Sequence, residues 1–197
     1  MPKKSRNLKL STLRIIGGQW RGRKLSFTEA PGLRPTGDRI RETLFNWLAP
    51  NIMGARCLDL FAGTGSLGLE CLSRGATQVW LLEKNAYAAA TLANNIKLLD
   101  AKYGKLIRAD SIQWLLTRAT ETISATSIDI VFIDPPFRDQ LWEPAIEGLE
   151  AANILAVDAR IYIEAPRQQK IRVSSQWELL REKKAGHICY RLYRRKS

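Results

Sequence analysis

The middle of the chain alternates short apolar segments with segments of helical character, and this alternation restricts the fold more than any other feature. Strands are predicted at residues 55–61, 77–83, 105–110, 127–134 and 158–165. Helices are predicted between and after them, at residues 67–75, 86–100, 111–120 and 139–152. Nearly continuous apolar strands that alternate with helices are typical of a parallel sheet with helices on both faces.

The two ends of the chain depart from this alternation. Residues 177–194 are predicted to form an antiparallel hairpin that turns near Ala185 and Gly186 and closes the sheet. The sequence therefore predicts an α/β fold with a seven-stranded, mostly parallel sheet and a C-terminal antiparallel hairpin.

At the N-terminal end, residues 13–18 and 21–27 are predicted as a small β-hairpin crossed by Gln19 and Trp20. A helix over residues 37–48 follows, with Thr36 as a candidate cap and Leu44, Phe45 and Leu48 directed toward the core. We expect two units: a basic tail and hairpin over residues 1–30, and the main domain over residues 31–197.

A glycine-rich loop follows the first strand of the main domain. Gly63, Gly65 and Gly68 have the spacing of a dinucleotide-binding loop, in which glycines allow a sharp turn and close approach of a ligand. Asp59, just before the loop, would repel a pyrophosphate but would favour the sulfonium and ammonium charges of S-adenosylmethionine. A loop-capping role for Asp59 is the alternative.

Two further acidic residues end strands in the same pattern. Glu83 ends the second strand, where a carboxylate can accept hydrogen bonds from both ribose hydroxyls of an adenosine. Asp110 ends the third strand and can accept the adenine amine, or it can share the capping of the next helix with Ser111. The predicted cofactor-binding residues are Asp59, Phe61, Gly63, Gly65, Glu83, Asp110, Ser111 and Thr36.

The segment Asp134-Pro135-Pro136-Phe137 follows the fourth strand and is the most informative motif in the sequence. The two prolines fix the backbone, so Asp134 and a nearby carbonyl can accept both hydrogens of an NH2 group. Such acceptors can orient an aromatic amine toward a methyl donor and stabilise the charge that develops on nitrogen. Phe137 can stack on the base, and these four residues are the predicted catalytic group.

The charge of the chain is concentrated at its ends. Residues 1–41 contain 11 Lys and Arg against two Asp and Glu, and residues 160–197 contain 11 against three, whereas the middle is acidic. This asymmetry indicates a polyanionic partner, most commonly nucleic acid. The residues predicted to bind the nucleic acid are Arg14, Trp20, Arg21, Arg23, Lys24, Arg34 and Arg39. Thr36 and Arg39 can alternatively contact the carboxylate end of the cofactor.

Other chemistries find little support in the sequence. Cys57, Cys71 and Cys189 lie among apolar neighbours without a ligand spacing, and the single His187 is predicted as a strand residue beside a turn. We therefore expect neither a metal site nor a cysteine nucleophile. No apolar run approaches 18 residues and no secretion signal is recognisable, which predicts a cytoplasmic protein that does not contact a membrane.

Several segments together resemble one family. Residues 14–25, 32–48, 57–76, 131–137 and 181–195 are similar to the ribosomal small-subunit RNA methyltransferase D family, and the resemblance covers nearly the whole chain. It implies a Rossmann-like class I methyltransferase fold. It also implies transfer of a methyl group from S-adenosylmethionine to the exocyclic N2 of a specific guanine, guanine 966, in 16S rRNA.

Three alternatives stay open at this point. The Asp-Pro-Pro-Phe segment selects an amine rather than a base, so adenine or cytosine in RNA or DNA is a possible target. An NAD-linked oxidoreductase and a catalytically silent RNA-binding protein are the others. The expected partner is 16S rRNA, either naked or within an assembling small subunit, and the protein is expected to act as a monomer.

Overall fold

A computed structural model describes residues 10–28, 37–125 and 127–196 of the chain. Seven strands form one sheet in the spatial order β5-β4-β3-β6-β7-β9-β8. The first five are parallel, while β9 pairs antiparallel with both β7 and β8. The predicted seven-stranded, mostly parallel sheet with a C-terminal hairpin is therefore confirmed.

The strands lie close to the predicted segments but most are shorter. The main sheet contains β3 (Arg56–Asp59), β4 (Gln78–Leu82), β5 (Gly104–Ile107), β6 (Ile128–Ile133), β7 (Leu155–Pro166), β8 (Trp177–Ala185) and β9 (Ile188–Arg195). β1 (Leu10–Arg14) and β2 (Lys24–Thr28) form the predicted separate antiparallel hairpin. Its strands differ from the predicted ones at residues 13–18 and 21–27, because residues 15–23 form the connecting loop.

Six α-helices are found in the described part of the chain. They are α1 (Asp38–Ile52), α2 (Gly68–Ser73), α3 (Ala86–Leu98), α4 (Ser111–Thr117), α5 (Ala119–Thr122) and α6 (Trp142–Ala152), with a 3-10 helix at Phe137–Asp139. α1 continues past Pro50 to Ile52, beyond the predicted end. Its N-cap position is Gly37, and Thr36, the predicted cap, lies outside the described residues.

The sheet separates two apolar cores because successive strand residues point to opposite faces. On one face, Cys57 of β3 and Phe132 of β6 pack with α1, α2, α3 and the N-terminal hairpin. On the other face, Leu58 and Val131 pack with α4, α5 and α6. Leu44, Phe45 and Leu48 of α1 are fully buried in the first core, as predicted.

The N-terminal hairpin lies along α3 on the first face of the sheet. Leu13, Leu25 and Phe27 are buried in the same core as the sheet residues. The Asn95 side chain of α3 donates a 2.7 Å hydrogen bond to the carbonyl of Ser26, and it satisfies a strand carbonyl that has no neighbouring strand on that side. No helix of the described residues is long and apolar enough to cross a membrane.

A fully buried carboxylate joins the hairpin to two helices. Glu70 of α2 accepts a 2.9 Å hydrogen bond from the backbone N–H of Ile16 and a 2.8 Å bond from Nε of Arg74. Its Oε2 also lies 3.8 Å from Nη1 of the fully buried Arg41, which donates to the carbonyl of Arg14 and to Asp38. These contacts hold the chain after β1 against α1 and α2.

Removing the buried charge is expected to destabilise the protein. Glu70→Gln leaves Arg41 and Arg74 without their shared anion, and loss of one partner of a buried ion pair costs about 3–5 kcal/mol. Urea unfolding followed by circular dichroism measures this change. Glu121→Gln is the matched control, because Glu121 pairs with Arg118 at the surface and should change the free energy of unfolding by less than about 1 kcal/mol. Equal stability of the two variants would contradict the assigned role.

Candidate functional site

One cavity opens at the edge of the sheet where the parallel strands end. It has a volume of about 680 Å³ and lies between the loop after β3 and the turn after β6. These neighbouring strands continue into helices on opposite faces of the sheet, which is the arrangement that leaves a ligand crevice in open α/β sheets. Its wall includes ten of the predicted site residues: Asp59, Phe61, Gly63, Glu83, Asp110, Ser111, Asp134, Pro135, Pro136 and Phe137.

The glycine loop begins at a buried carboxylate. Oδ2 of Asp59 accepts a hydrogen bond of 3.1 Å from the N–H of Gly68, so it spans the loop from β3 to the first turn of α2. Burial raises the pKa of Asp59 to about 7, against the opposing effect of the hydrogen bonds from Gly68 and Phe61. The side chain therefore fixes the loop and also presents, at the cavity wall, a carboxyl group that is only partly ionised near neutral pH.

Gly63 and Gly65 have positive φ angles of 52° and 78°, but they occupy different surroundings. Gly63 lies on the cavity wall, whereas Gly65 does not. A Cβ atom at Gly65 would lie 2.4 Å from Cδ1 of Leu92 and 2.9 Å from Cδ1 of Leu69. The structure thus places Gly65 where α2 and α3 pack closely, and the absence of a side chain there allows that packing.

Glu83 follows β4 on the opposite side of the loop. Its Oε2 accepts a 2.9 Å hydrogen bond from the N–H of Gly63, and its Oε1 accepts a 2.6 Å bond from the N–H of Asn85. Burial raises the pKa of Glu83, and these backbone hydrogen bonds oppose the increase. Each oxygen of a carboxylate can accept a second hydrogen bond, so both remain suitable acceptors for ligand hydroxyls.

Asp110 is the N-cap of α4, which is the capping role considered for it in the sequence. Its Oδ1 accepts hydrogen bonds from the N–H groups of Ile112 and Gln113, and its Oδ2 accepts one of 2.8 Å from Nζ of Lys84. The hydrogen bond from Lys84 is the main cause of the lowered pKa of Asp110. The proposed share of Ser111 in this cap is wrong, because Ser111 is the first residue of the helix and its hydroxyl donates to the carbonyl of Leu60.

The Asp-Pro-Pro-Phe segment forms the wall facing the glycine loop. Asp134 is partly exposed at the end of β6, Pro135 is buried, and Phe137 begins the 3-10 helix. The Phe137 ring lies 6.0 Å from the ring of the buried Trp142, measured between centroids at an interplanar angle of 39°. This contact supports one side of the ring, and the residue remains part of the cavity wall.

Several residues of the cavity wall were not predicted as site residues, and two of them carry titratable side chains on the C-terminal strands and turn. Glu164 of β7 is only 3% exposed, and His187 lies in the exposed turn between β8 and β9 rather than in a strand. A charged residue inside the otherwise apolar segment IYIEA was the signal for Glu164. No local signal marked His187, since its position depends on the antiparallel return of the C-terminal hairpin.

Those predicted RNA-binding residues that the structure describes lie outside the cavity wall. Arg14, Arg21, Arg23 and Lys24 are exposed on the hairpin, and Arg39 is exposed on the first turn of α1. Arg34 lies outside the described residues.

The Trp20 loop, residues 15–23, lies at the opposite edge of the sheet from the cavity. The backbone N–H groups of Gln19 and Trp20 donate to the carbonyl and hydroxyl of Ser73, at the far end of α2. Arg23 donates to the carbonyl of Leu98, the last residue of α3. The loop therefore does not lie beside the Asp-Pro-Pro-Phe turn, and any RNA contact that it makes is remote from the cavity.

The strand order and the crevice between β3 and β6 define the fold as that of the Rossmann-like class I methyltransferases. Solved structures from Escherichia coli and Haemophilus influenzae are similar to this one. The first has a TM-score of 0.82 and 46% identity, covering 95% of this chain and 99% of that one. The second has a TM-score of 0.80 and 40% identity, covering 95% and 100%.

The sequence comparisons identify the family. A profile described as Conserved hypothetical protein 95 matches residues 13–194. The ribosomal RNA small subunit methyltransferase D of Escherichia coli strain K12 is 47% identical, over 94% of this chain and 91% of that protein. The protein of the same name from Haemophilus influenzae is 44% identical, over 92% and 93%. The chain belongs to the Conserved hypothetical protein 95 family, the ribosomal small-subunit RNA methyltransferase D family.

Proposed function

We propose that this protein transfers a methyl group from S-adenosylmethionine to the exocyclic N2 of a guanine in 16S rRNA. The observation that carries the proposal is the shared cavity, in which the glycine loop and the Asp134–Phe137 segment form facing walls. The relatives named as small-subunit rRNA methyltransferases support the RNA substrate. Guanine 966 is the proposed target by family resemblance.

The charge of the cavity favours a cationic ligand over a pyrophosphate. Its wall includes six acidic side chains: Asp59, Glu83, Asp110, Asp134, Asp139 and Glu164. The two Lys or Arg side chains on the described wall are Lys84 and Arg138, and each is paired with an acidic neighbour. A dinucleotide would bring two phosphates into this acidic surrounding, whereas a sulfonium cofactor brings positive charge. This charge balance supports a methyltransferase rather than an NAD-linked oxidoreductase.

The residues of the glycine loop and of the strand ends can bind the ribose, the adenine and the positively charged end of S-adenosylmethionine. Glu83 presents carboxylate oxygens for the ribose hydroxyls, and Asp110 and Ser111 lie where the adenine is expected. Asp59 presents a carboxylate for the positively charged end, directly or through water. When bound, the cofactor supplies an electrophilic methyl group on its positively charged sulfur.

The Asp134–Phe137 segment performs the positioning part of the reaction. Asp134 accepts a hydrogen bond from the target amine, directs the nitrogen lone pair across the cavity, and stabilises the positive charge that develops on nitrogen. Phe137, held by Trp142, stacks on the base. A base in a stacked RNA must first leave its stack, which costs a few kcal/mol.

Loss of the Asp134 carboxylate is expected to remove catalysis without removing substrate binding. Asp134→Ala should lower kcat by about 100-fold or more, because the variant lacks a charge-stabilising group at the reacting atom. The assay transfers labelled methyl to 16S rRNA, or to small subunits, from cells lacking this protein. Mass spectrometry then maps the modified nucleotide.

Asp139→Ala is the matched control, since Asp139 is an acidic residue of the same wall that pairs with Arg138 at 3.2 Å. It should retain most of the wild-type rate. Methylated adenine or cytosine in place of N2-methylguanine would identify a different target. No transfer by the wild-type protein to either substrate would favour a silent RNA-binding protein.

Cofactor affinity should depend on pH through Asp59. The pKa of Asp59 is about 7, and a cationic ligand binds the ionised form better, so binding below pH 7 requires loss of a proton. Calorimetry should show the affinity rising by up to about tenfold between pH 6 and pH 8, with most of the rise below pH 7, and levelling above pH 8.

The variant Asp59→Asn isolates this effect from Glu83, whose pKa is also raised by burial. It should bind the cofactor more weakly and lose the dependence on pH around pH 7, whereas Asp158→Asn, at an exposed position within β7, should behave as wild type. A wild-type affinity that is flat between pH 6 and pH 8 would contradict the proposed contact.

The hairpin is proposed as an RNA contact remote from the target base. Arg21 and Arg23 are exposed beside the half-buried Trp20 at the far edge of the sheet. Replacing both by Ala should reduce the slope of log affinity against log salt by about one for each phosphate that the protein no longer neutralises. Cofactor affinity should not change.

Fluorescence anisotropy with a 16S rRNA fragment at several salt concentrations measures this slope. The charge-matched control replaces Arg118 and Arg172, which are both exposed on the face of the sheet that carries α4 and α6. If the control pair changes the slope as much as the hairpin pair, the RNA contact lies elsewhere.

A further inference from the structure

Glu164 lies beside Asp134 at the edge of the sheet. β6 and β7 are parallel neighbours with Ile133 paired to Ile163, so the next residues in register are Asp134 and Glu164. Paired residues of neighbouring parallel strands point to the same face and lie about 5 Å apart. Both residues belong to the cavity wall, and Glu164 is 3% exposed. Two carboxylates therefore face the same part of the cavity.

The protein fixes both the backbone and the side chain of Glu164. Nε1 of Trp142 donates a 2.8 Å hydrogen bond to its carbonyl, and Oη of Tyr162 donates a 2.7 Å bond to its Oε2. Burial raises the pKa of Tyr162 well above its ordinary value, and Glu164 and Asp134 raise it further, so the phenol remains a donor. Each oxygen of a carboxylate can accept more than one hydrogen bond, so the bond from the tyrosine does not prevent Glu164 from accepting another.

The bases differ in the ring nitrogen that lies beside the exocyclic amine. Two adjacent acceptors require that this nitrogen carries a hydrogen. Guanine carries a ring N1–H donor directly beside its exocyclic N2 amine. Adenine and cytosine have a ring nitrogen with a lone pair beside their amines, and a lone pair repels a carboxylate. Two adjacent carboxylates thus match the donor pair of guanine and no other amine-bearing base.

We infer that Glu164 is a specificity-determining residue, which accepts the N1–H of the target guanine while Asp134 accepts its N2 amine. The inference rests on the proposed function, because it names how the same cavity selects its base. Hydrogen bonding to a buried polar group gives strong discrimination, since an analogue without the donor leaves the carboxylate facing a lone pair. Asp134 serves the reacting amine, and Glu164 identifies the ring to which that amine belongs.

The test uses an RNA fragment of the target region with either guanosine or 2-aminopurine at the target position. 2-Aminopurine keeps the reactive amine but lacks N1–H and has a lone pair at N1. Wild-type protein should methylate the guanosine substrate with a kcat/KM about 10- to 100-fold higher, the range expected for a hydrogen bond to a charged group. Glu164→Gln should reduce this ratio at least fivefold, because the glutamine amide can donate to the N1 lone pair.

Tyr162→Phe is the structural control. It removes the hydroxyl that donates to Glu164 and leaves the carboxylate in place, so the guanosine to 2-aminopurine ratio should stay within about threefold of wild type. An equal change of the ratio in both variants would show that Glu164 acts only as a partner of Tyr162 and would overturn the inference. Cofactor affinity, measured by calorimetry, should be the same in Tyr162→Phe as in the wild type.

If Glu164→Gln does not fold, the inference is tested by the wild-type protein alone, through its ratio of kcat/KM for the guanosine substrate to that for the 2-aminopurine substrate. Wild-type protein that methylates both substrates equally overturns it without any variant. Wild-type protein that forms no N2-methylguanine ends the proposed function together with this inference. Formation of N2-methylguanine with an unchanged ratio in a folded Glu164→Gln protein overturns the inference alone.

Discussion

The crevice between β3 and β6 is the constraint on which the site depends. These strands are hydrogen-bonded neighbours, with Asp59 in register with Phe132, yet the chain leaves them toward opposite faces of the sheet. Neither following helix can cover the gap between the two strand ends. The cavity is thus a consequence of the strand order. The residues at the end of each of these strands line it, whatever side chains they carry. Selection of Asp59 and Asp134 at these places makes the crevice acidic within a strongly basic chain.

The separation of charge has a physical consequence for the proposed reaction. Acidic side chains line the cavity, while the excess of Lys and Arg lies at the two ends of the sequence. A cationic methyl donor is attracted inside and a polyanionic RNA is attracted outside. The acidic interior of the cavity repels the phosphate backbone. A single base that has left its stack therefore enters the cavity most easily. The same arrangement that holds the donor therefore limits which part of the RNA reaches it.

The sequence predicted those features that arise from neighbouring residues. Strand and helix alternation, the glycine loop and the turn after Ile133 are local patterns, and the sheet and the shared cavity follow from them by general rules of α/β topology. Glu70 with Arg41, and Glu164 with Asp134, are pairs that lie about 30 residues apart in the chain and meet only through packing and strand register. The packing role of Gly65 likewise depends on Leu92 of α3, which no local pattern brings to the loop, whereas the capping role of Asp110 is local and was among the roles that the sequence suggested. The remote position of Trp20 followed from the hairpin lying along α3, which its basic composition did not indicate.

The length of α3 sets the scale of the proposed RNA interface. The helix begins beside the cavity at Asn85 and ends at Leu98, whose carbonyl accepts from Arg23. At about 1.5 Å per residue, this separates the cavity from the Trp20 loop by about 20 Å. A single nucleotide cannot span that distance, whereas a folded RNA segment can contact both places at once. Because two linked contacts bind more tightly than either alone, recognition by the cavity and the hairpin together would favour a structured rRNA target over an isolated base. Recognition of the base in the cavity then selects the atom that is methylated, and recognition of the folded RNA selects the nucleotide in the rRNA.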